Sequence, residues 1–188
     1  LFIFMDIKED IEIEPFPEES EKKKLIKKII VISIGLILVI LFITYIIVSP
    51  RVLNILEGFL VSSTLDNYTI KLNENFSVIF SPEIYNELLD IYKNNQKAEF
   101  KVCLKGEKVD GNYYVNSLYI PEIYAQDIFS VTSAECNSET LISLHSHPEK
   151  HCIFSQQDIN NYDNFKQVNH DGIIGLICQE NRFSFYGY

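Results

Sequence analysis

The sequence is short of positive charge. Its 188 residues include 16 Lys and Arg against 26 Asp and Glu, which gives a formal net charge of −10 at pH 7. Binding to nucleic acid depends on clustered cations that neutralise phosphates. The acidic balance therefore argues against DNA or RNA as a partner.

Cysteine is also scarce. The four cysteines are Cys103, Cys136, Cys152 and Cys178, and no two of them form a C-x-x-C pair. A structural zinc ribbon is therefore not indicated, and a zinc nucleobase deaminase, which needs H-x-E and P-C-x-x-C elements, is excluded. Two interpretations stay open: one or two disulfides in a domain outside the cytosol, with the connectivity undetermined, or small buried apolar residues.

What the sequence does contain is one long apolar run. Residues 29–48, IIVISIGLILVILFITYIIV, carry no charge. At about 1.5 Å per residue the run spans roughly 30 Å, the thickness of a bilayer core. The apolar region of a cleaved signal peptide is shorter, about 7–15 residues, and leads to a small-residue cleavage site. We therefore predict a single transmembrane helix that anchors the chain in a lipid bilayer.

The flanks of this run predict its orientation. Five lysines lie between positions 22 and 28, whereas only Arg51 closely follows the run. By the positive-inside rule the N-terminus lies in the cytoplasm and the C-terminal part outside. We predict a disordered cytoplasmic tail over 1–28, a stalk or linker over 49–68, and a globular domain over 69–188.

Helix and strand signals alternate along the globular part. Ser81-Pro82 is typical of a helix start, and a second helix is expected to open at Ser155. The predicted strands are Ala98–Leu104, Tyr113–Ile120, Ile128–Val131, Leu141–His147, Gly172–Cys178 and Phe183–Tyr186. This order predicts one α/β domain with a mixed, mainly antiparallel sheet flanked by helices.

The residues that indicate chemistry lie between Leu144 and Asp158. His145 and His147 are two apart on a predicted strand, so both imidazoles point to the same face. Asp158 follows a turn at Pro148 and the start of a helix, where its carboxylate can serve as a third ligand. Two His and one carboxylate, with a water in the fourth position, are typical of an open catalytic zinc site. Ser155 to Asp158 also matches a helix capping box, and both roles are compatible.

This pattern resembles the signature of the JAMM (MPN-plus) zinc metalloproteases: an upstream Glu, His-(Ser/Thr)-His-Pro, six residues, Ser, two residues, and Asp. His145 to Pro148, then Ser155 and Asp158, match at every specified position and spacing. The resemblance implies an MPN-like fold with one zinc ion bound by His145, His147 and Asp158. It also implies proton transfer by the upstream Glu and an oxyanion contact from Ser155.

The upstream glutamate requires a choice. In the family it lies in a pattern resembling E-x-x-G-x-L-x-G, and the run from Glu99 to Gly106 keeps the Glu, the Leu and the last Gly. Val102 stands where the family usually has Gly. Glu107 and Glu122 are the competing candidates, and Glu99 is preferred because Glu107 follows the predicted strand and Glu122 follows the next one.

Two hypotheses of different class follow. The first is a membrane-anchored metalloprotease or isopeptidase that cleaves amide bonds of peptides or of ubiquitin-like or sulfur-carrier proteins. The second is a non-catalytic MPN-like scaffold, which would be expected to have lost metal ligands. The resemblance favours a protein-modifier substrate, whereas the predicted orientation favours substrates outside the cytosol. His151, between the ligands, has two interpretations: a residue that contacts substrate or metal, or a solvated loop residue, and the second is preferred.

Overall fold

The computed structural model describes residues 20–148 and 151–188. The N-terminal unit contains one helix, α1 (Glu21–Val48), which begins before the predicted start at residue 29. It is long and apolar enough to cross a membrane, a property that signal sequences near an N-terminus share. Residues 1–19 of the predicted disordered tail lie outside the described residues.

The second unit, Ser49–Tyr188, is built around a β-barrel. Eight strands close in the order β1-β10-β9-β8-β4-β5-β3-β2, and β6 and β7 form a separate hairpin. Of the eight strand pairs, β3–β5 and β8–β9 are parallel and the other six are antiparallel. The strands are β1 (Ser63–Asp66), β2 (Thr69–Lys71), β3 (Ser77–Phe80), β4 (Lys101–Val109), β5 (Asn112–Tyr119), β6 (Ile123–Gln126), β7 (Val131–Ser133), β8 (Thr140–Ser146), β9 (Ile173–Gln179) and β10 (Arg182–Tyr186).

The closed barrel contradicts the predicted fold, an MPN-like sheet flanked by helices. The difference arises from the three short strands β1, β2 and β3, which connect β10 to β5 and leave neither edge of the sheet unpaired. Closure of this kind satisfies the backbone groups that an open edge would expose. Strand β1 falls inside the segment 49–68 that the sequence predicts to be a stalk or linker.

Three helices accompany the barrel: α2 (Pro50–Val61), α3 (Pro82–Asn94) and α4 (Gln156–Val168). Helix α3 begins as predicted, because the Ser81 side chain accepts a hydrogen bond from the Ile84 amide. The strand predicted over Ile128–Val131 is wrong. Most of that segment is the bend between β6 and β7, where the Asp127 carboxylate accepts hydrogen bonds from two backbone amides.

Alternation along the strands gives the central sheet two different faces. Val102, Leu104, Ile142 and Leu144 are fully buried in the main hydrophobic core. The intervening residues of the same strands belong to the opposite face, where a second cluster contains Cys103, Cys136, Phe165 and Ile174. Helix α4 contributes Phe165 to this cluster, so the second face lies beneath α4. This is the face that carries the two predicted histidine ligands.

All four cysteines are paired. Cys103 joins Cys136, and Cys152 joins Cys178. Of the interpretations that the sequence left open, disulfide formation is therefore the one observed. Each bridge fastens a connecting segment to a barrel strand, the first to β4 and the second to β9.

Candidate metal centre

Strand register brings the upstream glutamate to the histidines. In the antiparallel β4–β8 pair, Lys101 lies opposite His145. Glu99, two residues before Lys101, therefore lies beside His147, two residues after His145, and Glu99 Oε1 is 3.7 Å from His147 Nε2. Both side chains are buried. His147 lies one residue beyond β8, where its amide donates a hydrogen bond to the Ile177 carbonyl.

The first turn of α4 supplies the third candidate ligand. The Ser155 side chain accepts a hydrogen bond from the Asp158 amide at 3.2 Å, and Asp158 Oδ2 accepts one from the Ser155 amide at 2.7 Å. This is the capping box that the sequence predicts. It leaves Asp158 Oδ1 turned towards His145, with 3.2 Å between Oδ1 and Nε2. The cap thus fixes the carboxylate while one oxygen faces the histidine.

The donor atoms fit a metal ion. One ligand atom from each of His145, His147 and Asp158 lies within 4.8 Å of the others. In a tetrahedral zinc site with bonds of about 2.0–2.1 Å, ligand atoms lie about 3.4 Å apart. His145 Nε2 is buried and, although close to Asp158, is not oriented to make a hydrogen bond with any described atom. A buried nitrogen without a hydrogen bond is costly, and a metal ion at this point would satisfy it.

A hydrogen bond at Nδ1, the ring nitrogen on the far side from the site, sets the orientation of the His147 ring. His147 Nδ1 lies 3.1 Å from the His151 carbonyl oxygen, which can only accept a hydrogen bond. Nδ1 therefore carries the proton and Nε2 is left with a lone pair directed at the site. Metal-binding histidines are commonly oriented in this way.

Two contacts of Cys152, the residue after His151, hold the segment that carries this carbonyl. Next to His151, the disulfide from Cys152 to Cys178 ties the loop to β9. The Cys152 carbonyl also accepts a hydrogen bond of 2.7 Å from the Ser184 hydroxyl on β10. The His151 ring packs against the His147 ring, with 4.3 Å between centroids. His151 lies in a loop, as predicted, and it is half-buried and lines the cavity.

Burial changes the protonation of Glu99. Removal from water raises the pKa of the Glu99 carboxyl to about 7. The nearby His145 ring opposes this rise in pKa, whereas the negative charges of Asp158 and Asp127 add to it. A carboxyl with a pKa near neutrality can both accept and release a proton at that pH.

The other two acid–base groups are shifted towards the forms that bind metals. Burial, together with the neighbouring rings of His145 and His151, lowers the pKa of His147 to about 3. The His147 ring is therefore neutral at neutral pH, and its contacts of 3.7 and 3.9 Å with Glu99 and Asp158 are not ion pairs. Burial raises the pKa of Asp158, but the contacts with His145 and Ser155 outweigh it and lower the pKa well below its usual value.

These residues line one cavity of about 200 Å³. All five of the sequence-predicted site residues, Glu99, His145, His147, Ser155 and Asp158, contribute to its lining. The remaining walls were not predicted from the sequence; they come from β4, the β6–β7 bend, β7, the β7–β8 connection, β8, β9 and α4. Those further lining residues include Lys101, Phe129, Val131, Glu135, Asn161 and Phe165.

The sequence matches no known protein-family model, and no curated protein matches it significantly. The chemical interpretation of the site therefore depends on its own residues and geometry.

Proposed function

We propose that this protein is a zinc-dependent amide hydrolase of the metallopeptidase or isopeptidase class. The observation that carries the proposal is the convergence of His145, His147, Asp158 and Glu99 on one cavity. The proposal takes the residue roles from the JAMM/MPN-plus resemblance and does not take the sheet architecture. Because the ligand set is complete, a scaffold that has lost its metal is the weaker alternative.

In this proposal His145, His147 and Asp158 hold one zinc ion. Bound zinc supplies Lewis acidity and a water of lowered pKa. Two imidazoles and one carboxylate match the donor set of catalytic zinc sites with one position open to water. The buried His145 Nε2 without a hydrogen bond supports a metal at this point.

Glu99 is the proposed proton carrier. Its carboxylate lies beside the ligand set without belonging to it, because the three ligand atoms that lie within 4.8 Å of one another come from other residues. Glu99 takes a proton from the attacking water and delivers it to the leaving amine.

Ser155 is the proposed oxyanion donor. Its oxygen accepts a hydrogen bond from the Asp158 amide, so the hydroxyl hydrogen stays free to donate. The residue is exposed at the cavity wall, where a substrate carbonyl can reach it. A donor fixed in advance by a helix cap stabilises a developing oxyanion without reorganisation.

We further propose that residues 29–48 anchor the chain in the bilayer with the hydrolase domain outside the cytosol. The lysines before the apolar helix support this orientation. The two disulfides support it as well, because such bonds persist in oxidising compartments and are rare in the cytosol. Peptides or small protein modifiers encountered there are the candidate substrates.

The test is hydrolysis by full-length, detergent-solubilised protein. The substrate panel contains fluorogenic peptide amides and a fluorogenic amide on the C-terminus of a ubiquitin-like protein. We expect turnover that a chelator abolishes, and a loss of about 10²–10⁴-fold in Glu99→Gln with zinc still bound. Glu107→Gln and Glu122→Gln are the matched controls and should cleave like the parent.

Two outcomes contradict the proposal. Turnover by Glu99→Gln equal to the parent, with Glu107→Gln or Glu122→Gln inactive, would transfer the proton role to another glutamate. Full zinc occupancy without cleavage of any member of the panel would favour the scaffold.

A further inference from the structure

The cavity contains a lysine that the proposed hydrolysis does not use. Lys101 lies on β4 opposite His145 on β8. Residues directly opposite in antiparallel strands share a face, with Cβ atoms about 5 Å apart. The Lys101 side chain is 16% exposed and lines the cavity. A cation therefore lies one cross-strand step from a proposed metal ligand.

The partner of this cation can be exchanged. Lys101 Nζ lies 3.6 Å from Glu135 Oε2, and the Glu135 side chain is 80% exposed. Ion pairs with so exposed a partner contribute little to stability, because water screens the charge. A substrate carboxylate that enters the cavity can thus replace Glu135 at little cost.

Lys101 is also the only lysine or arginine among the described residues that line the cavity. The carboxyls there are Glu99, Glu135 and Asp158. Two of these belong to the proposed catalytic set, and among the described residues Glu135 is the carboxylate that forms an ion pair with the lysine. A neutral substrate would gain nothing from a cation in this position, whereas an anionic substrate would gain a charge-assisted hydrogen bond.

We propose that Lys101 binds a carboxylate of the substrate within one or two residues of the cleaved bond, and so selects substrates with an anion there. The inference rests on the proposed function for the position of that bond. The carboxylate is either the free C-terminus of a peptide or an Asp or Glu side chain. The chemistry is the same for both sources, and matched probes distinguish them.

The experiment measures equilibrium binding of two pairs of peptides to the full-length protein in detergent. The first pair is acetyl-Gly-Gly-Gly with a free carboxylate and the same peptide as an amide. The second pair is acetyl-Gly-Glu-Gly-amide and acetyl-Gly-Gln-Gly-amide. Binding is measured to metal-stripped protein and to zinc-loaded Glu99→Gln protein, with the zinc content determined separately.

We expect one carboxylate peptide to bind about tenfold more tightly than its neutral partner. Lys101→Gln should remove this preference and Lys101→Arg should keep it. Glu135→Gln should enlarge it, because the competing carboxylate is gone. Lys105→Gln is the matched control: Lys105 lies on the same strand and pairs with Glu139 at 2.7 Å, but it does not line the cavity.

The result distinguishes this inference from the proposed function. A preference that survives Lys101→Gln, or the lack of any preference in both metal states, would overturn the role of Lys101 whatever the zinc content. A preference that depends on Lys101, in protein that takes up no zinc when zinc is supplied, would support the anion site and contradict the zinc site.

Discussion

At the scale of single residues, two of the three candidate ligands have one atom fixed by the protein and another left for the site. His147 has Nδ1 held by the His151 carbonyl, and Asp158 has Oδ2 held by the Ser155 amide. The remaining atoms, His147 Nε2 and Asp158 Oδ1, face the cavity. This division orients the donors before any metal arrives, so less conformational freedom is lost on binding.

Ser155 combines a structural and a proposed chemical role on different atoms. Its oxygen caps α4, and its hydroxyl hydrogen is the proposed donor. Replacement of a helix-capping Ser by Ala costs roughly 1 kcal/mol of stability. The stability of a Ser155→Ala variant therefore has to be measured before its loss of turnover is assigned to the missing hydrogen bond to the oxyanion.

At the scale of elements, strand β4 has an irregularity in its pairing with β5. The β4–β5 register shifts between Lys105 and Gly106. A Cβ added at Gly106 would fall against the Tyr114 backbone carbonyl on β5. Backbone atoms held in a sheet ladder cannot move aside as the end of a side chain can, so only glycine fits there.

We therefore expect Gly106→Ala to lower the free energy of unfolding by about 1–3 kcal/mol through overpacking. Thermal unfolding of the detergent-solubilised protein measures the effect as a lower midpoint. Glu107→Ala, at the exposed neighbouring position, is the control and should lie within about 0.5 kcal/mol of the parent. A Gly106→Ala protein as stable as the parent would contradict the proximity of β4 and β5 at this point.

The sequence predicted the longer elements and the residues of the candidate metal centre, because both patterns are local. Ser81 and Ser155 cap helices within three residues of themselves, and His145 and His147 share a face by alternation alone. Barrel closure was not predictable, since β2 has three residues and β1 and β3 have four. Runs that short do not show a clear period.

The cavity walls could not be predicted from the sequence for a related reason. Lys101 becomes a neighbour of His145 only through the β4–β8 register, which joins positions 44 residues apart. The contact between the His151 carbonyl and His147 Nδ1 likewise follows no period that the sequence shows. One signal was present in the sequence: Lys101 lies two residues after Glu99, so the strand alternation that aligns His145 with His147 also applies to this pair.

At the scale of the whole molecule, the proposed orientation in a membrane would determine which substrates the candidate site meets. We expect protease added to intact cells to cut a tag at the C-terminus, because the lysines between positions 22 and 28 favour a cytoplasmic N-terminus. Immunoblotting of the tag measures the cut. Cleavage only after lysis would reverse the orientation and make cytosolic protein modifiers the better substrates.

Zinc binding is the property on which the proposed function depends most directly. The decisive measurement is the zinc content of the full-length, detergent-solubilised protein, with folding checked by circular dichroism. We expect close to one zinc per chain, no stoichiometric zinc in His145→Ala/His147→Ala, and weakened binding in Asp158→Asn, because that ligand loses its charge. Asp163→Asn, an exposed acid on the same helix, should keep the full content. A folded His145→Ala/His147→Ala protein that retains a full equivalent of zinc would contradict the metal centre.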